Sequence, residues 1–255
     1  MSEIQFKSDI DVEVIQSMGG DHMVVAAAKV STTGTDALAF ANGAALNSKG
    51  EPWSDADSFG LINYLMKHRH GTPFEHSAIT FFVRVPIFVL REWHRHRIGF
   101  SYNEESARYT VLDPVFYIPD RERPMFKVDD WKPGRPKFLK IENHVGEAAY
   151  DKLCRNLRES YEFSYVKYQE NLALGIDPGL ARDCLPVGIY SGCWVTCNPR
   201  SLMSFLSLRT HEPEAKQVSY PLWEIELAAR ACEKALEAGW PLTYKAFCEN
   251  GRVGP

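Results

Sequence analysis

An α/β (α+β) chain, mixing strands with long helices, is predicted by three stretches of this sequence. Ala78-Ile79-Thr80-Phe81-Phe82-Val83-Arg84-Val85 is dense in β-branched and aromatic residues, as a strand buried on at least one face requires. Residues 144 to 174 read as one long helix stopped by Gly175, and residues 220 to 238 as another.

The remaining elements follow in order. Residues 4 to 17 mix β-branched residues with acids and predict an edge strand. Asp21 is placed to cap a helix through Ala26, Ala27, Ala28 and Lys29, which Ser31-Thr32-Thr33-Gly34 breaks. An Asn- and Gly-rich loop covers 41 to 53, after which Ser54 and Asp55 can cap a helix. Its apolar stripe is Phe59, Leu61, Ile62, Leu65 and Met66, and it ends at His68-Arg69-His70-Gly71, where cations suit the negative end of the helix dipole. Pro86 ends the strand 78–85 and can open a helix from Ile87 to about Arg97. A short strand is predicted at Val115 to Ile118, then a proline- and charge-rich surface excursion to Lys140. Beyond the long helix the chain reads as largely helical: Pro178 to Leu185, a helix after Pro199, 220–238 and a short last helix over 243–249. No internal repeat or low-complexity segment is present, and the whole chain, 1–255, is read as one domain.

Composition narrows the function. With 255 residues, 45% hydrophobic and 24% charged, the chain can bury a proper core. A net charge of -4 argues against coating nucleic acid or an anionic membrane. The six cysteines form no CxxC pair and read as buried thiols, not zinc ligands or disulfides. The first residues show no basic segment followed by an apolar one, and no apolar run approaches a membrane span, so the expected setting is cytoplasmic and reducing.

The strongest chemical signal is Arg95-His96-Arg97-Ile98-Gly99-Phe100-Ser101-Tyr102-Asn103-Glu104-Glu105-Ser106-Ala107-Arg108-Tyr109. Arg91 and Arg95 are four apart, on one face of the expected helix, where like charges repel; an anion would offset that repulsion. Charge runs are more often solvated faces. This one continues from an apolar half-helix and is interleaved with Trp93, His94, Phe100 and Tyr102, which suits a planar anionic ligand gripped by guanidinium forks and rings.

At these residues the sequence resembles the flavin-dependent thymidylate synthases, whose signature is Arg-His-Arg, seven residues, then Ser. The resemblance also covers Ala28-Lys29-Val30-Ser31, Thr72-Pro73-Phe74-Glu75-His76, Pro86-Ile87-Phe88-Val89, Phe116-Tyr117-Ile118-Pro119, Ala181-Arg182-Asp183-Cys184-Leu185-Pro186 and Asn198-Pro199-Arg200-Ser201-Leu202. Here eight residues, Ile98 to Glu105, separate Arg97 from Ser106, which places one extra residue near Gly99 or Phe100. Ser101 is a second reading of the functional serine, without the flanking Asn, Glu and Arg.

The resemblance implies a mixed β-sheet flanked by long helices, and synthesis of dTMP from dUMP. Its cofactor is FAD, with NADPH and 5,10-methylenetetrahydrofolate as co-substrates, no metal, and a homotetramer that shares its active sites. Carried over residue by residue, Ser31, Arg95, His96, Arg97, Glu104, Asn198 and Arg200 match flavin-binding positions. Ser204 stands where some relatives have an Asn, and His76 is expected near flavin and substrates. Glu92, Arg95, Glu104, Glu105, Ser106, Ala107, Arg108, Arg182 and Arg209 match dUMP-binding positions. The backbone around Glu105 to Ala107, with Arg108 and an Arg182 from another subunit, would cradle phosphate, and Arg209 would face the uracil ring and stabilise charge on its oxygens. Ser106 is expected to position substrate as a hydrogen-bond donor, because no His or Lys neighbour is in sequence to activate it as a nucleophile. The segment His211 to Gln217 falls in a substrate-proximal loop, with His211 a candidate contact.

Two other classes stay open on the residues alone. A non-catalytic nucleotide-binding protein would keep the phosphate-gripping arginines and lose the flavin contacts. An RNA-binding module is opposed by the acidic charge and the lack of an RNA motif.

Overall fold

A computed structural model describes residues 3–255. In chain order the elements are β1 (Gln5–Lys7), β2 (Asp11–Met18), α1 (Asp21–Thr33), α2 (Leu38–Ala41), α3 (Asp55–Lys67), β3 (Ala78–Pro86), α4 (Ile87–Trp93), β4 (Phe100–Glu104), β5 (Val115–Tyr117), β6 (Phe126–Lys127), β7 (Phe138–Leu139), α5 (His144–Ala173), α6 (Pro178–Ala181), β8 (Tyr190–Cys197), α7 (Pro199–Arg209), α8 (Trp223–Gly239) and α9 (Pro241–Glu249). The class is the expected mixture of sheets and helices. Four strands are hydrogen-bonded in the order β2-β3-β8-β4, and the pairs β1-β5 and β6-β7 form two small sheets. Among the described residues, no helix is long and apolar enough to cross a membrane.

The chain separates into two compact units. One holds the described residues up to Asp11, Val83–Arg95 and Asn103–Cys193; the other holds Val12–Phe82, His96–Tyr102 and Trp194–Pro255. Strands β3, β4 and β8 each begin in one unit and end in the other.

In the first unit, the amino-terminal segment splits where one strand was expected: β1 runs parallel to β5, with Gln5 opposite Val115, while β2 is an edge of the four-stranded sheet. Helix α5 starts at Asn143, whose side chain accepts from the N–H groups of Val145 and Gly146, satisfying two of the donors that a helix start leaves unpaired. It buries Tyr161, Tyr165 and Tyr168, at helical spacing, in a core with Phe116, Ile118 and Ile189. Tyr161 stacks on Phe116 with ring centroids 5.0 Å apart. Each such buried aromatic contributes about 1.5–3 kcal/mol by removal from water. Residues 120–140 are mostly exposed, as expected, and hold the short antiparallel pair β6-β7.

Three expectations around the basic motif and its neighbouring strands are corrected. Helix α4 ends at Trp93 with His94 as its C-cap, so Arg95, His96 and Arg97 lie beyond the helix and Arg91 and Arg95 share no helix face. Residues Phe100–Glu104, read as loop, form strand β4; Ser101, Asn103 and Glu104 masked the alternation that Phe100 and Tyr102 carry. Strand β8 lies in a region read as largely helical. It alternates buried Cys193, Val195 and Cys197 with the less buried Gly192, Trp194 and Thr196, the period of a strand.

In the second unit, α3 begins with a reciprocal capping box: the Ser54 hydroxyl accepts from the Asp57 N–H, and the Asp57 carboxylate accepts from the Ser54 N–H. His68 is the C-cap of that helix, its ring against Tyr64. Asp21 does not cap its own helix; Gly20 is the N-cap there. The Asp21 carboxylate instead accepts from the N–H groups of Leu242 and Thr243 at 2.8 and 2.9 Å and from the Thr243 hydroxyl at 2.7 Å, capping α9. Helix α8 starts at Trp223, after the expected 220, and α9 starts earlier, at Pro241, its first residue. Helix α8 packs against both α7 and α9, and α9 also against α3, with Leu202, Phe205, Ile225, Cys232, Trp240 and Phe247 buried.

Candidate active site

Helix α7 supplies one wall of the second unit's site. The Asn198 carboxamide oxygen accepts from the Ser201 N–H at 2.9 Å, and Pro199 occupies the first helical position, so the helix start is set by sequence. Asn198, Arg200 and Ser204 then line one cavity of about 460 Å³ with Gly99 and Arg69. The Arg200 Nη1 donates to Glu75 and its Nε to the Pro255 carbonyl. Arg200 also borders a second cavity of about 620 Å³, lined by Lys29, Ser31, Tyr64, Arg69 and Pro73 among others. Gly71 makes room for it: a Cβ there would fall 2.4 Å from the guanidinium.

Gly99 is equally constrained. Its φ of 68° is in the left-handed region, and an added Cβ would sit 2.1 Å from the Ser201 hydroxyl oxygen and 2.9 Å from Asn198 Nδ2. The tight turn at Gly99 is where β4 departs toward Ser106, in the loop where the extra residue was placed.

The three residues of the basic motif diverge. Arg95 and Arg97 are exposed, while His96 is half-buried, its ring 5.0 Å from that of Phe205 in an edge-to-face contact. The Tyr102 hydroxyl donates to the His96 carbonyl at 2.6 Å. Arg209, at the end of α7, donates from Nε to His96 Nε2 at 3.0 Å. Burial, and secondarily the Arg209 charge, lower the His96 pKa to about 4, so the ring is neutral at pH 7 and carries its proton on Nδ1.

This has a consequence for acid stability. On unfolding, His96 regains its ordinary value of 6.5, so between that pH and about 4 the unfolded chain binds a proton that the folded chain excludes. The stabilisation from neutral His96 is complete above the window and is lost as pH falls through it, by up to about 1.4 kcal/mol per pH unit. Urea unfolding at pH 7 and pH 5 should show a smaller acid loss in His96→Gln, whose amide oxygen can still accept from Arg209. Equal losses in the two proteins would refute the assignment.

The first unit holds a cavity of about 370 Å³ bordered by Arg91, Glu104, Glu105, Ala107, Arg182, Asp183 and Ser191. Ile87 and Arg91, one turn apart on α4, present a carbon surface and a guanidinium to it. The Glu105 N–H donates to the Gly192 carbonyl at 2.8 Å, and the Gly192 N–H donates to the Glu105 carboxylate at 3.4 Å, fixing the signature loop to β8. Ser106 opens a turn in which its carbonyl accepts from the N–H groups of Tyr109 and Thr110 at 2.9 and 3.2 Å, and its hydroxyl accepts weakly from the Arg108 N–H at 3.4 Å. Arg108 is exposed and lies over the Tyr109 ring.

The structure therefore gathers Glu104, Glu105, Ala107 and Arg182 of one chain in one place, where an Arg182 from another subunit was expected, His96 with Arg209 in another, and Asn198, Arg200 and Ser204 in a third. Ser31 joins Arg200 at the larger cavity. His76 is exposed and lines neither of the two cavities that Arg200 borders, although Thr72 and Pro73 line one of them. Glu92 is half-buried on α4 beside Arg91. His211 is held in its loop, Nδ1 2.7 Å from the Ser219 carbonyl and its N–H on Glu226 at 2.9 Å. Glu212 pairs with Arg230, not with Arg209. Lys29, Arg69 and Ser191 also line these cavities without having been singled out as site residues in the sequence, and Arg91, read there as half of a basic helix face, borders the cavity of Arg182. For Ser191 the sequence held a signal, a polar residue on the buried parity of a strand, but only once β8 is seen as a strand.

Of the cysteines expected to be buried, Cys193, Cys197 and Cys232 are, whereas Cys154 is half-buried and Cys184 and Cys248 are exposed. All six thiols are free. Burial first, and then the Glu104 charge, push Cys193 up to about 11, leaving it protonated at neutral pH.

Comparison with known proteins decides the family. The family model described as Thymidylate synthase complementing protein matches residues 13–242. A flavin-dependent thymidylate synthase of Streptomyces coelicolor is 46% identical over 99% of this chain and 96% of its own length. The chain belongs to the flavin-dependent thymidylate synthases. A member from Tropheryma whipplei is 43% identical over 98% of this chain and 97% of its own length. The crystal structure of the UMP/dUMP methylase PolB from Streptomyces cacaoi, bound with 5-Br dUMP, superposes with a TM-score of 0.86 at 42% identity, covering 99% of this chain and 100% of that one. As a member of the family, the chain is a flavin-dependent methyltransferase.

Proposed function

We propose that the enzyme methylates dUMP to dTMP, with FAD as its flavin, 5,10-methylenetetrahydrofolate as carbon donor and NADPH as reductant. The observation that carries the reading is the hydrogen bond from Arg209 Nε to neutral His96 Nε2 at 3.0 Å, because it ties the signature motif to the arginine expected at the uracil ring. Support for dUMP also comes from the guanidiniums of Arg91 and Arg182, which border one cavity and make no ion pair among the described residues, and from the nucleotide analogue in the PolB structure.

The residues present fit FAD. Lys29, Arg69 and Arg200 bring cations to two neighbouring cavities whose walls include Leu61, Tyr64 and Pro73, the combination of charge and apolar surface that a diphosphate joined to flat rings needs. Ser31, Asn198 and Ser204 add short polar groups, and Gly71 and Gly99 leave the space. We assign flavin binding to these residues with Arg95, His96, Arg97 and Glu104. Reduced FAD, when bound, supplies the hydride that completes the methyl group.

The chain's own contribution is electrostatic and positional. Attack by uracil C5 on the folate methylene requires an electron-rich ring with negative charge on its oxygens, and a fixed guanidinium at Arg209 stabilises that charge. Neutral His96 holds Arg209 by its Nε without adding a second positive charge or withdrawing the first. Arg182 and the Glu105–Ala107 backbone, with Arg108, bind phosphate; Glu92, Glu104 and Ser106 orient the nucleotide. We place His76 near the flavin and substrates on the motif match alone, and infer a cytoplasmic homotetramer with shared sites acting as one catalytic domain.

The test is release of tritium from C5-labelled dUMP by flavin-loaded protein. Release that requires both methylenetetrahydrofolate and NADPH is expected; none from fully flavin-loaded protein would reject the reading.

A further inference from the structure

We infer that the Ser191 hydroxyl donates a hydrogen bond to the phosphate of bound dUMP, which makes Ser191 a further substrate-binding residue; this rests on the dUMP reading above. Ser191 is 2% exposed and its Oγ has no hydrogen-bond partner among the described residues. It stands on the strand parity of Cys193, Val195 and Cys197, all buried, where β8 otherwise places apolar or weakly polar side chains. A hydroxyl with no partner in such a row costs stability, so its presence calls for a bond that the protein alone does not make.

The cavity that Ser191 borders suggests the partner. Ser191 borders the same cavity as Arg91 and Arg182, and neither guanidinium makes an ion pair among the described residues. Two guanidiniums outside ion pairs and one donor without an acceptor, among the described residues, mark a place for an oxygen-rich anion. The carboxylates of Glu104, Glu105 and Asp183 also line the cavity, and Glu105 accepts from the Gly192 N–H at 3.4 Å. That engagement and the Glu105 N–H bond to the Gly192 carbonyl keep Ser191 next to the Glu105–Ala107 backbone, the segment already assigned to phosphate. A hydroxyl donating to a phosphate oxygen makes a charge-assisted bond, about twice the strength of a neutral one.

The experiment titrates flavin-loaded wild type, Ser191→Ala and the near-isosteric Ser191→Cys with dUMP and with deoxyuridine, which lacks the phosphate. The expected result is a dUMP Kd raised about tenfold in both variants, with deoxyuridine binding changed less than about twofold. The melting temperature of nucleotide-free Ser191→Ala should not fall, since no protein hydrogen bond is removed. Unchanged dUMP affinity, equal loss for both ligands, or a lowered melting temperature would each overturn the assignment. Wild type that binds neither ligand would instead overturn the dUMP reading itself, and the assignment with it.

Discussion

Replacing Arg209 with alanine is expected to lower kcat for tritium release by about 10²–10³-fold, the range found when one preorganised donor to developing charge is removed. The prediction rests on how the side chain is held. Arg209 ends α7, and its Nε–H is fixed on the His96 imidazole at 3.0 Å. Preorganisation of that kind reduces the reorganisation needed when charge develops on the pyrimidine. Lysine at this position keeps a point charge but has no planar fork and no Nε–H to give to His96, so Arg209→Lys should recover only a small part of the rate. Flavin content separates this from collapse of the site: the absorbance of the loaded variants should match wild type. A kcat within about tenfold of wild type in Arg209→Ala would remove Arg209 from the chemistry.

The same pair shows where reading the sequence succeeds and where it stops. Arg95, His96 and Arg97 announce themselves as a motif, yet only the fold shows that His96 turns inward while its neighbours stay exposed, because its partner lies 113 residues away. Local signals were legible: the Ser54 capping box, the alternation of β3, the run of α5 up to Gly175. Each depends on residues within one or two turns of each other. Asp21 failed as a local signal for the opposite reason. Its carboxylate reaches backbone donors 221 residues along the chain, and nothing near Asp21 distinguishes that from capping its own helix. The end of α4 was missed because its basic run continues a helical pattern, whereas the contacts of His96 with Phe205 and Arg209 belong to the chain after it has left the helix. Strand β8 was hidden by Gly192 and by the helices on either side, and the cavity that Ser191 and Arg182 share was hidden with it.

Arg182→Ala should raise the Kd and KM for dUMP by on the order of 10²-fold, while kcat at saturating dUMP changes far less. Arg182 is half-buried in the 3-10 turn that follows α6, bordering the same cavity as Arg91. Asp183 is its neighbour in sequence and borders the same cavity, yet no ion pair joins them among the described residues. An arginine held beside a carboxylate without pairing to it is positioned for a different anion, and a phosphomonoester offers a match to its fork. Because that contact is present in both the ground state and the transition state, its loss is one of uniform binding, which appears in KM. Arg182→Lys keeps the charge and should lie between alanine and wild type, and deoxyuridine, without a phosphate, should bind the alanine variant and wild type alike. If dUMP KM in Arg182→Ala stayed within about threefold of wild type, the phosphate would have to be bound elsewhere, and Arg182 would be left as an unpaired cation with no account of what it is for.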